Sequence, residues 1–90
     1  MKLMTEMEAR RWRGIGWRAA VLRQLDGLSQ VEAATKAGIT PATWARMESG
    51  QRCQDGTIFD VARAFGLPNP LWLKFGVNNI EDLAAMAEGD

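Results

Sequence analysis

The sequence predicts an all-α domain, a compact bundle of about five helices around a central helix-turn-helix, with a short helix at each end. Three observations support this fold class. Capping boxes mark where helices start, glycines lie where helices should end, and the apolar residues between them share one face at helical spacing.

The N-terminal segment, residues 1–14, is predicted to be a basic arm or a short helix. Thr5 and Glu8 form a capping box that opens this helix, and Gly14 is expected to end it. Its cations have two interpretations. They form either a solvated helix end or an arm that contacts phosphates or the minor groove beside the main site. These cations are Arg10, Arg11 and Arg13.

Two helices follow, each with a defined boundary. The first is predicted over about residues 15–26 and ends at Gly27. The second is predicted over about residues 29–37, since Ser29 and Glu32 form a capping box at its start.

A tight turn joins the second helix to a third, predicted over about residues 40–49. Gly38 lies just past the second helix, where a left-handed residue is favoured. Thr40 can cap the third helix, and Pro41 suits its first turn. Helices this close in the chain must cross steeply, and Ala34 provides the small side chain that their contact needs. The pattern is a helix-turn-helix, whose usual role is to place its second helix in the major groove of DNA.

The third helix has two unlike faces at about 100° per residue. Trp44 and Met47 share a bulky apolar face, which we expect in the core. The opposite face is small, polar and cationic, so we expect it to meet a partner, with Thr43 on its flank. That face consists of Ala42, Ala45, Arg46 and Ser49. Alanine can contact a thymine methyl group, and arginine can donate two hydrogen bonds to guanine.

Two further helices complete the central domain, which is predicted to span residues 15–76. One begins after Asp55 and is stopped by residues 66–68. A short one, capped by Asn69 and Pro70, follows. The apolar stripe of the longer helix consists of Ile58, Val61, Ala62 and Phe65.

The C-terminal segment, residues 77–90, is predicted to be a helix capped by Asn79. Its stripe has few large side chains, so it either packs on the domain or pairs with its copy, and we favour pairing in a homodimer. The stripe consists of Ile80, Leu83, Ala84 and Ala87.

The composition argues against an enzyme and predicts no metal and no cofactor. There is no histidine and one cysteine, so the usual zinc sites, Ser-His-Asp triads and Cys-His dyads cannot form. Cys53 cannot form an internal disulfide, which fits a reducing compartment. No apolar run approaches the roughly 20 residues of a membrane span. We therefore expect a cytoplasmic protein without a membrane partner.

The charge is divided along the chain. Residues 1–52 carry nine basic and five acidic side chains, a net +4, whereas residues 53–90 carry two and six, a net −4. The positive half contains the helix-turn-helix. A basic face opposite an acidic one suits DNA on one side and a protein partner or solvent on the other.

Several segments together resemble the Cro/lambda-repressor type (XRE-like) of helix-turn-helix domain over about residues 15–67. The resemblance implies about five helices that bind duplex DNA, usually as a two-fold dimer. Such domains serve as phage repressors, antitoxins and controllers of restriction systems. The matching segments are Ile15-Gly16, Leu22-Arg23, Gly27-Leu28-Ser29-Gln30, Met47-Glu48-Ser49-Gly50 and Ile58–Leu67.

The resemblance implies a set of DNA contacts. Gln30 would contact a phosphate at the start of its helix. The leading end of the reading helix would be Thr40, Pro41, Ala42 and Thr43, and its exposed face would continue through Ala45, Arg46 and Ser49. Gln51 and Arg52 would lie near the DNA backbone.

One departure from the family pattern affects this expectation. Many members have polar readers where this chain has Pro41 and Ala42, which leaves Arg46 as the only strong bidentate donor to a base. Specificity would then depend more on methyl contacts and DNA shape. We therefore expect a phage-type transcriptional repressor. The alternatives are an antitoxin that regulates its own operon and a helix-turn-helix that serves as a protein-interaction module.

Overall fold

The computed structural model describes the backbone of residues 4–88 and the side chains of residues 4–86. Over this range the chain is helical and contains no strand, which confirms the predicted all-α class. None of the described helices is long and apolar enough to cross a membrane. The helices are α1 (Glu6–Leu25), α2 (Gln30–Ala37), α3 (Pro41–Glu48), α4 (Asp55–Ala64), α5 (Leu71–Phe75) and α6 (Ile80–Glu88).

The predicted break at Gly14 is wrong, because α1 runs without interruption from Glu6 to Leu25. Thr5 does cap the helix, since its hydroxyl accepts a hydrogen bond of 3.1 Å from the backbone N–H of Glu8. A glycine inside a helix costs only about 1 kcal/mol. The packing of α1 against α3 and α5 outweighs this cost, so Gly14 stays helical and the basic residues before it extend the first helix.

The two central helices begin and end where local chemistry predicts. Ser29 accepts from the backbone N–H of Glu32 at 3.1 Å, and the Glu32 carboxylate accepts from the backbone N–H of Ser29 at 2.9 Å. Gly38 ends α2 with a left-handed φ of 72°. Thr40 then caps α3. Ala34 is completely buried, as the steep crossing of α2 and α3 requires.

The core is built around the inner face of α3. Trp44 and Met47 are both completely buried, which confirms the predicted facing of this helix. The Trp44 ring lies 5.7 Å from that of Phe65. Phe65, on the predicted apolar stripe, is only half-buried and packs against the core. It follows the last residue of α4 and covers the edge of the core. The core also includes Ile15, Ala19, Ala33, Ala34, Ile58, Val61 and Leu73.

A glycine sets the distance between α1 and α3. A Cβ atom built at Gly16 would overlap the backbone oxygen of Met47 and would lie 3.0 Å from the backbone oxygen of Glu48. The end of α3 therefore contacts the backbone of α1 directly.

The C-terminal helices differ in how firmly they pack. Arg18 on α1 holds α5, because its guanidinium donates to the backbone oxygens of Leu73 at 2.8 Å and Lys74 at 2.9 Å. As predicted, Asn79 caps α6 by accepting from the backbone N–H of Asp82 at 2.8 Å. Within the described chain, α6 forms no extensive contact with another helix.

Candidate nucleic-acid interface

The outer face of α3 is open to solvent along its whole length. Its alanines and polar side chains point away from Trp44 and Met47, which fill the core beneath them. Thr43 is half-buried on the flank, as predicted. The exposed residues of this face and its flanking loop are Thr40, Pro41, Ala42, Ala45, Arg46, Ser49, Gln51 and Arg52. Gln30 is exposed at the start of α2. This face and its flanking loop therefore form an exposed surface of mostly small side chains that also carries Arg46 and Arg52.

Most of the polar side chains on this face are already engaged with each other. The hydroxyls of Thr40 and Thr43 are 2.8 Å apart. Ser49 donates its hydroxyl to the backbone oxygen of Arg46 at 2.8 Å, and Gln51 donates to the Ser49 hydroxyl at 3.1 Å. In contrast, the guanidinium of Arg46 makes no hydrogen bond to any described residue. Among the residues predicted to contact bases, Arg46 is therefore the strong hydrogen-bond donor that remains available.

A recess of about 350 Å³ lies between α3 and the start of α4. Arg46 enters it from the helix and Arg52 from the following loop. The residues that line it are Thr43, Arg46, Arg52, Cys53, Gln54 and Thr57. Two cations and two hydroxyls around such a recess suit an anionic group.

Cys53 is the half-buried thiol of this recess. Burial raises the pKa of the Cys53 thiol, and the positive charge of Arg46 offsets this effect only in part. The thiol therefore stays protonated near neutral pH, when it is a poor nucleophile. It donates to the backbone oxygen of Gln51 at 3.5 Å.

The three N-terminal arginines do not form one cluster. Arg13 packs on the exit of α3, with its Cγ 3.0 Å from the position of a Cβ on Gly50. The Arg11 guanidinium lies over the ring of Phe75, 5.4 Å from its centre. Arg10 is exposed. Only Arg13 therefore adjoins the end of α3.

Three cations near the outer face and exit of α3 have no ion-pair partner among the described residues. Arg13, Arg46 and Arg52 form no ion pair with a described residue, so their charge is not neutralised locally. Four other cations are paired, namely Arg23 with Glu48 at 2.5 Å, Lys36 with Asp26 at 2.7 Å, Arg63 with Asp60 at 2.7 Å and Lys74 with Asp55 at 3.5 Å. The candidate interface therefore carries three uncompensated positive charges; Arg10, Arg11 and Arg18 on α1 also form no ion pair with a described residue.

A partly buried network anchors the end of α3. Arg23 donates to both carboxylate oxygens of Glu48, at 2.5 and 3.0 Å, and to the backbone oxygen of Leu28 at 3.0 Å. The indole N–H of Trp44 also donates to Glu48. This network was not predicted from the sequence. Arg23 and Glu48 are 25 positions apart in the chain, and no local spacing pattern connects residues at that distance.

This network predicts a dependence of stability on acid. Burial alone would raise the pKa of Glu48, but hydrogen bonds from Arg23, Trp44 and Gln30 outweigh it and hold the pKa below its ordinary value. A carboxyl whose pKa is lower in the folded state stabilises the fold above its unfolded pKa and loses this contribution as the pH falls. We expect the free energy of unfolding to drop as the pH falls below about 4.5, the ordinary pKa of a glutamate, and to drop less in Glu48→Gln. Urea titrations at several pH values measure both. If the free energy of unfolding falls equally with pH in the wild type and in Glu48→Gln, Glu48 does not have this role.

Among the described residues, no group of three or more acidic or cysteine side chains could hold a metal ion. No curated protein and no solved structure gives a match to the chain. The sequence model of the helix-turn-helix domain family matches residues 15–71, from the middle of α1 to the first residue of α5.

Proposed function

The chain belongs to the helix-turn-helix domain family, and from this premise we propose that it is a sequence-specific regulator of transcription that occupies an operator in duplex DNA. The observation that carries the proposal is the outer face of α3. It is exposed and lined by small side chains, and it presents an arginine whose guanidinium is not engaged elsewhere. A helix of this kind can approach base edges closely in the major groove.

The proposed contacts divide by chemistry. Arg46 would read a guanine through two hydrogen bonds, and Ala42 and Ala45 would contact thymine methyl groups. Arg52 and Arg13, which both lie near the exit of α3, would contact phosphates. The full proposed set is Gln30, Thr40, Pro41, Ala42, Thr43, Ala45, Arg46, Ser49, Gln51 and Arg52, with Arg10, Arg11 and Arg13 at the N-terminal end of α1.

One short reading helix covers only a few base pairs. We therefore propose that two copies act as a two-fold homodimer on half-sites one helical turn, or about 34 Å, apart. The C-terminal helix is the proposed dimer contact, since Ile80 and Ala84 on its stripe are exposed and Leu83 is half-buried. The side chain of Ala87, the fourth residue of the predicted stripe, lies outside the described residues.

DNA binding is tested first with a random duplex at low salt. The protein should retard the duplex in a gel, and the logarithm of its affinity should fall linearly with the logarithm of the salt concentration. Selection from a random pool should then enrich one sequence. If no duplex is bound at low salt, the regulator proposal fails, and a protein-interaction module becomes the better account.

Arg46 is expected to determine part of the sequence preference. On the selected operator, Arg46→Ala should cost about 1–3 kcal/mol of binding free energy and relax the preference at one G·C base pair. The matched control is Arg52→Ala, another exposed arginine at the same recess. It should weaken binding to all duplexes alike and reduce the salt slope by about one. If Arg46→Ala also weakens all sequences equally, Arg46 contacts a phosphate in the recess.

A further inference from the structure

The outer side of α1 is apolar and uncovered. Trp17 is 65 % exposed and Leu25 is 79 % exposed, with half-buried Val21 between them. These residues are four apart, so they share one face of the helix. That face points away from Ile15 and Ala19, which lie in the core. An exposed tryptophan beside an exposed leucine is typical of a contact surface.

Next to this face lies an apolar groove of about 250 Å³. One wall is α1, and the other is α5 with the connection that precedes it. The groove is lined by Val21, Leu22, Leu25, Leu67, Pro68 and Trp72, with Asn69 and Asn78 at its polar rim.

The same chain has a second unpartnered apolar face, on α6. Ile80 is 73 % exposed and Met86 is 52 % exposed, with Leu83 between them at a spacing of three. These three side chains lie within about 120° of one another around the helix. Among the described residues, no other helix packs extensively on α6.

The charges of α1 and α6 indicate which of the two apolar faces contact each other. Helix α1 includes five arginines, one of which pairs with Glu48, and two acids in its first turn, whereas α6 includes three acids and no base. Two α1 faces placed together would set basic helices against each other, and two α6 helices would set acidic helices against each other. Only α6 against α1 combines opposite charges, and such complementarity favours that pairing over the other two.

We propose that α6 of one copy docks in the α1–α5 groove of a second copy, and that the exchange is reciprocal. Asn78 at the rim of the groove comes two residues before α6, so each helix starts at the mouth of its own groove. A two-fold axis near the mouth of the groove would bring the α6 helix of each copy to the groove of the other copy. Because the exchange occurs twice, two tryptophans and several aliphatic side chains become buried, enough to approach the roughly 1,000 Å² of a specific interface.

The oligomeric state is the first test, and it needs no DNA. Sedimentation over a concentration series should show a dimer. Trp17→Glu and Ile80→Glu should each raise its dissociation constant by about thirtyfold or more, the loss expected when a central apolar contact is removed. Val31→Glu is the matched control, because Val31 is 57 % exposed on α2, outside both surfaces. A chain that stays monomeric would overturn the proposal, as would a dimer unaffected by either variant.

Cross-linking then identifies which surfaces meet. In a Cys53→Ser background, a chain with Trp17→Cys is mixed with a chain with Ile80→Cys and oxidised mildly. The expected product is the mixed disulfide dimer. Predominant pairing of either chain with itself would overturn the proposal in favour of α1–α1 or α6–α6 contact. A chain that carries both substitutions and cross-links only internally would show that α6 folds onto its own groove, which also overturns it. The inference rests on the two-fold dimer proposed above, which a monomeric chain would also overturn, whereas all of these outcomes leave DNA binding by α3 untouched.

Discussion

Trp44→Ala should lower the free energy of unfolding by about 3–5 kcal/mol, as large truncations in a core do. Trp44 is completely buried on the inner face of α3 and packs on Phe65. Its indole also donates to Glu48, so the variant removes a hydrogen bond from the network that anchors α3. Small domains have a net stability of only about 5–15 kcal/mol, so this loss is a large fraction of the total.

Urea titration followed by circular dichroism measures this loss. The matched control is Trp17→Ala, which removes the same side chain from a site that is 65 % exposed. At a concentration where the chain is monomeric, this control should change the free energy of unfolding by less than about 1 kcal/mol. If the two variants are equally stable, Trp44 does not lie in the core, and the assigned facing of α3 is wrong.

Gly16→Ala should destabilise the fold by about 2–3 kcal/mol, although alanine is the better helix former. The added methyl group would overlap the backbone oxygen of Met47 at the end of α3. Backbone atoms cannot turn aside as the tip of a side chain can, so α1 and α3 would have to separate. Their separation would also loosen the outer face of α3, and binding to the selected operator should weaken with stability.

Gly56→Ala is the control for this substitution. Gly56 is also a helical glycine, in the first turn of α4, and, apart from its chain neighbours and the backbone of its own helix, no described atom lies within 4 Å of the position of its Cβ. This variant should be neutral or slightly stabilising, because alanine reduces the entropy of the unfolded chain. Thermal melts of the two variants compare them directly. If Gly16→Ala is as stable as Gly56→Ala, the close approach of α1 and α3 does not limit the packing.

The helix-turn-helix could be predicted because each of its determinants is local. The Ser29 capping box, the left-handed Gly38 and the cap of Thr40 involve neighbours four residues apart or fewer. The facing of α3 followed from helical periodicity alone, since Trp44 and Met47 share a side. A single sequence contains such information directly, and it required no knowledge of distant contacts.

The site was predicted only in part, and the reason is physical. Exposure of the α3 face could be inferred from its pattern, but the engagement of Thr43 and Ser49 in local hydrogen bonds could not. Their partners depend on rotamers and on the loop after α3. The structure therefore leaves Arg46 as the strong hydrogen-bond donor on the outer face of α3 that is not engaged with another described residue. The residue types alone already favoured this conclusion.

By itself, the sequence determined where α2 and α3 begin and end and which side of α3 faces inward, because hydrogen bonds and periodicity within one helix decide these features. Only the tertiary structure decided that α1 continues through Gly14, that Gly16 meets the end of α3, and that Arg23 pairs with Glu48. A glycine has the same local conformational preferences at position 14 as at position 16. What differs is the element that packs against it, and that depends on contacts between residues distant in the chain.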